Sequence, residues 1–129
     1  MSSYKFENKA TLQAAVDTWI LDEDGALKAF GAHISQWDVS EITDFSEIFQ
    51  GKTTFREDIS NWDVGSGTNF SRMFDGATLF NEDIGNWSVD KGTDFSHMFH
   101  GATLFNQDIG NWSVAKGTDF SHMFDGAEL

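Results

Sequence analysis

Three aspartates at a spacing of 25 residues, Asp58, Asp83 and Asp108, stand with Asn81 and Asn106 as a column of oxygen ligands, the donor type calcium takes. Carboxylates stacked at the roughly 4.8 Å spacing of neighbouring strands repel one another. Each must be held by backbone N–H groups as an Asx-turn, or share a cation with its neighbour. The surrounding residues lack the Gly-Gly-x-Gly-x-Asp form of calcium-binding repeats, so the Asx-turn leads and calcium is the alternative. A second set, His97, His100, His122 and Asp125, falls in two columns of the same spacing, with ligand types suited to zinc or nickel. The corresponding residues earlier in the chain are Glu47, Gln50, Arg72 and Asp75, so an exposed polar surface is the competing reading.

Two further columns invite chemistry and lose it on parity or position. Trp37, Trp62, Trp87 and Trp112 could stack sugars, but each lies two residues from Val39, Val64, Val89 or Val114. In an extended segment these point to one side, and that side is core. The hydroxyl column Thr43, Thr68, Thr93 and Thr118 raises ice binding, but Thr followed by Asp or Asn before an apolar stripe is helix N-cap chemistry. There is no Cys nucleophile, no Gly-rich phosphate loop and no Ser-His-Asp set outside the repeated columns, so no enzyme is expected.

The elements that must position these residues follow from one period. Leu79 to Thr103 recurs as Leu104 to Glu128 with four substitutions, and Trp37, Trp62, Trp87 and Trp112 extend the spacing of 25 upstream. A fixed period of this size marks a solenoid, whose units bury apolar faces only against their neighbours. Residues 1–28 follow another pattern and read as an N-terminal helical cap; the units are 29–53, 54–78, 79–103 and 104–128, in one structural domain. In the cap, Leu12, Ala15, Val16, Trp19 and Ile20 share a helical face over Thr11 to Asp22, and Gly25 to Phe30 offers a further helical turn. In each unit, Trp37 to Ser40 and its equivalents read as a short parallel strand. Phe45, Ile48 and Phe49 read as the stripe of a two-turn helix ending at Gly51. The expected fold is α/β: a right-handed, leucine-rich-repeat-like solenoid of four coils, each a short strand plus a short helix.

The units FREDISNWDVGSGTNFSRMFDGA and FNQDIGNWSVAKGTDFSHMFDGA resemble the mycoplasma-lipoprotein and BspA-type surface repeat, of general form F-N-Q-D-I-S-x-W-D-V-S-x-V-T-D-M-S-x-M-F. The segment LQAAVDTWILDEDGALKAFGAHISQWDVSEITDFSEIF is similar to the entry of such arrays. The resemblance implies a leucine-rich-repeat-like solenoid used for adhesion or protein recognition at a cell surface, with no catalytic residues. One column departs from the pattern: its Val or Ile is Ile42 in the first unit but Gly67, Gly92 and Gly117 afterwards. A cavity costing a few kcal/mol results unless the backbone closes in or a neighbour fills the space.

A formal charge of −13, from 8 basic and 21 acidic residues, argues against nucleic acid and anionic membrane surfaces as partners. Without cysteine there is no disulfide framework, and either redox compartment suits the chain. No stretch approaches a membrane span, and Met1 to Ala10 has no signal-peptide core. Together these give a non-enzymatic recognition or adhesion module. Its binding face is Asp38, Asn61, Asp63, Asn86, Ser88, Asn111 and Ser113, with cation binding and structural self-assembly as alternatives. Phe120, Met123 and Phe124 border an uncovered apolar edge, from which either a tail-to-tail homodimer at high concentration or continuation into a longer array is expected.

Overall fold

The computed structural model describes residues 5–127. The amphipathic segment forms α1, Lys9–Leu21, begun by Asn8, whose side chain accepts from the Thr11 N–H at 3.0 Å. Leu12, Ala15, Val16 and Trp19 are its buried stripe. Asp22 closes α1 by donating its N–H to Thr18 O and opens α2, Glu23–Phe30, by accepting from the Gly25 N–H. The left-handed Gly31 (φ 69°) ends α2. A single 3-10 turn, Ile34–Gln36, leads into the repeats.

The repeats are neither helical nor stranded. Among the described residues the chain has these two α-helices, the 3-10 turn and no strand, and inter-unit pairing appears as isolated parallel bridges at Asp44, Asn69, Asp94 and Asp119. This overturns the expected leucine-rich-repeat-like solenoid with a strand and a helix in every coil. The reason lies in where the backbone amides go. At the expected strand, Asp38 and Asp63 draw the N–H groups of Ser40 and Gly65 into Asx-turns, and the amides of Ile42, Gly67, Gly92 and Gly117 turn back three residues to Val39, Val64, Val89 and Val114. Donors used in local turns cannot build a ladder. With no strand–helix crossover, the handedness rule has nothing to act on.

The expected helix fails for a complementary reason. Where N-cap chemistry is expected, Asp44, Asn69, Asp94 and Asp119 each accept from the N–H two residues on, at 2.9 Å, closing Asx-turns that cap no helix. The amides of Phe45, Glu47, Phe49 and Gly51 then point out of their own unit, donating to Asn69, Ser71, Met73 and Asp75 carbonyls at 2.8 to 3.0 Å. The intervening amides of Ile48, Gln50 and Lys52 turn back three residues within the unit. The left-handed φ of Glu47 (64°), Arg72, His97 and His122 produces this alternation and interrupts any right-handed helix. The same four donations repeat from unit two to three and from unit three to four.

Side chains follow the register. Phe45, Phe70, Phe95 and Phe120 form one column of stacked rings at 5.3 to 5.6 Å, and Phe49, Phe74, Phe99 and Phe124 a second at 5.4 to 5.6 Å. Phe55, Phe80 and Phe105 form a third. Trp62, Trp87 and Trp112 donate their indole N–H to Ile34, Ile59 and Ile84 carbonyls, each in the preceding unit. The glycine column leaves no cavity. A Cβ at Gly67 would meet the Phe70 ring at 2.6 Å and Phe45 at 2.9 Å, so aromatic rings occupy the space of the missing side chain. The head edge of unit one is covered: Phe6 N–H donates to Asp38 O, Gln13 Nε2 to Ile48 O at 2.9 Å, and Lys9 Nζ to Ser46 Oγ.

Candidate functional site

The expected recognition columns sit on one side of a backbone whose other side is core. Trp62, Val64, Trp87 and Val89 are buried, whereas Asn61, Asp63, Asn86 and Ser88 are exposed, as are Asn111 and Ser113. Parity therefore holds even without a strand, because the Trp-x-Val segment is locally extended between its turns. Asp38 is half-buried; hydrogen bonds from the Ser40 hydroxyl and amide hold its carboxyl below the usual range. Asp63 accepts from Gly65 N–H at 2.9 Å, which fixes its side chain against the turn. The face is thus a set of amides, hydroxyls and carboxylates on a frame tied together by inter-unit hydrogen bonds.

The Asp58, Asp83 and Asp108 column is engaged in turns. Each accepts a backbone N–H, from Ser60, Gly85 and Gly110, at 2.8 to 2.9 Å. Asp58 is held below its ordinary pKa by the Ser60 bonds. Beside it stands a column the sequence reading missed, Glu57 and Glu82. Burial, then the nearby Asp58 and Glu57 charges, raise the Glu82 carboxyl. The same spacing of 25 could have flagged the pair. Asn81 and Asn106 bridge units, with Asn106 N–H donating to Asn81 Oδ1 at 2.7 Å.

The histidines lie at the junction of units three and four. The His97 ring is 4.8 Å from His122 and 5.4 Å from His100, centroid to centroid. His100 Nδ1 pairs with Asp75 Oδ1 at 2.9 Å, and His122 Nδ1 with Asp125 Oδ2 at 2.5 Å. The four candidate ligands are therefore neighbours. Among the described residues, however, no three His, Asp or Glu are arranged to hold one ion. His97 is pushed below its usual pKa by desolvation, then by Arg72 and the other two imidazoles. Asp75 is the unpredicted hub. It receives Arg72, His100 and Gln50, and although burial raises its carboxyl, these hydrogen bonds outweigh that and lower it. The column Gln50, Asp75, His100, Asp125 carried that signal.

The threonine column caps no helix. Thr68, Thr93 and Thr118 are exposed and donate their hydroxyls to Thr43, Thr68 and Thr93 carbonyls at 3.1 to 3.2 Å, tying each unit to the one before.

The model of a family described as "Mycoplasma protein of unknown function, DUF285" matches residues 22–129. The chain belongs to this family. The DUF285 region begins at the Asp22 junction, so it takes in α2 and all the units but not α1. Neither a curated protein nor a solved structure matches the chain. No helix among the described residues is long and apolar enough to cross a membrane.

Proposed function

We propose that this DUF285 chain is a non-enzymatic recognition or adhesion module working at a cell surface, of the BspA-type repeat class. The observation that carries the reading is the exposed face of Asn61, Asp63, Asn86, Ser88, Asn111 and Ser113 on a frame fixed by inter-unit hydrogen bonds. Such a face offers alternating donors and acceptors at a fixed repeat, ordered before binding, and so loses little conformational freedom on meeting a protein partner. Membership of a family described from mycoplasma supports the surface assignment.

The test compares binding of the fluorescently labelled chain to intact and protease-shaved cells. One variant carries alanine at those six positions; another carries His97→Ala, His100→Ala and His122→Ala. Saturable binding that is lost on shaving and in the six-position variant, and kept in the histidine variant, supports the reading. Binding that is absent, or equal in both variants, overturns it.

A further inference from the structure

The inter-unit ladder is unequal in direction. At every interface four N–H groups of the earlier unit donate to carbonyls of the later one, while in return the backbone of the later unit donates to carbonyls only around one threonine, from Thr68, Thr93 or Thr118 N–H to the Thr carbonyl of the unit before. The head edge of the array is therefore rich in carbonyls and the tail edge rich in N–H groups. The head edge faces α1, from which Gln13 caps the Ile48 carbonyl and Lys9 donates to the Ser46 hydroxyl. At the tail edge the equivalent donors are the amides of Phe120, His122, Phe124 and Gly126, and none donates to a described residue.

The rest of the tail edge matches what earlier interfaces receive. Phe120 and Phe124 are 41% and 48% exposed, whereas Phe45, Phe70 and Phe95 in the first column, and Phe49, Phe74 and Phe99 in the second, are fully buried beneath the next ring. A groove of about 240 Å³ opens among Phe105, Ile109, Phe124 and Ala127. Upstream, the space beyond Phe55 and Phe80 is filled by the Phe of the following unit. The Ile109 carbonyl corresponds to Ile34, Ile59 and Ile84, which each accept an indole N–H from the next unit's Trp.

We propose that the tail edge is a docking surface for one more segment of the same 25-residue pattern. The segment enters parallel, presenting four carbonyls, a Trp indole N–H and three Phe rings. A second copy of this chain does not fit. Its head edge carries α1, and tail against tail would set the four N–H donors of each copy against an edge that offers fewer carbonyls than donors. Buried donors left unmatched are costly, which opposes the tail-to-tail homodimer that the apolar edge alone suggests.

The test appends a copy of residues 105–128 after Leu129, which keeps the period. Hydrogen exchange is read at Phe120, His122, Phe124 and Gly126 in the extended and unextended chains. A control extension carries serine at the copies of Phe120 and Phe124. At least tenfold slower exchange at those four amides in the extended chain alone, with a melting temperature higher by about 3 °C or more, is expected. The unextended chain is expected to sediment as a monomer at hundreds of micromolar. Unchanged exchange on extension overturns the proposal, as does a concentration-dependent dimer of the unextended chain that protects the same amides.

Discussion

The cap and the repeats solve the same problem, the pairing of every backbone amide, in opposite ways. In α1 the donors are satisfied within one segment, and the sequence need supply only a cap at Asn8 and an apolar stripe. In the repeats alternate amides leave the unit, so no single unit can satisfy its own backbone. The cap is locally determined and the repeats are determined by their neighbours. Cooperativity should therefore run along the array, with the cap as a separable end.

The sharpest way to break this contrast is Phe74→Ala. Phe74 touches the ring of Phe49 in the unit before it, and those of Phe80, Trp87 and Phe99 in the unit after it. A loss of about 3–5 kcal/mol is expected, read by denaturant unfolding. Hydrogen exchange should quicken in the units on both sides of the change; confinement to unit two would refute neighbour-determined stability.

A smaller loss, about 1–3 kcal/mol, is expected for Gly67→Val, which drives a side chain into the Phe70 and Phe45 rings. Adding Phe70→Met should recover part of it, measured by the same unfolding curves. No recovery would mean that the glycine serves the turn and not the ring.

On the cap side, Gln13→Ala leaves the Ile48 carbonyl without its partner and should cost about 1–2 kcal/mol. Exchange should quicken at the edge of unit one while units three and four stay protected.

The smallest effect concerns Asp75, whose folded carboxyl lies below its usual 3.8. The folded state therefore binds that proton less readily than the unfolded one, so this contribution is present above about pH 4 and is lost as pH falls. Because Arg72 and His100 are both substantially exposed, Asp75→Asn should cost only about 1 kcal/mol at pH 7. The gap between variant and parent should narrow steadily in urea melts as the pH is taken below about 4.

The helix of the cap and the burial of nearly every apolar column were legible because burial follows side-chain type and spacing. Phe45, Ile48 and Phe49 are buried as their pattern demands. Their secondary structure was not legible, since a stripe at i, i+3 and i+4 is produced equally by a helix and by successive turns with a left-handed residue between them. Nothing in the type of Glu47 or Arg72 announces a positive φ; the bonds to the next unit impose it. Of the candidate site, the exposed columns could be read by parity. The Asp75 hub was missed although its column is polar throughout, because the residues of that column differ and the hub joins three units, through Gln50, Arg72 and His100.

Each interface repeats the same pairings: phenylalanine to phenylalanine, threonine hydroxyl to threonine carbonyl, tryptophan to the isoleucine of the unit before. A unit copied in frame thus arrives already complementary to its own template, and a unit deleted leaves two matching edges to rejoin. Gain or loss of 75 base pairs, three for each residue of the period of 25, should be nearly neutral for folding. The length of the array is then free to change by recombination while every remaining interface keeps its pairings.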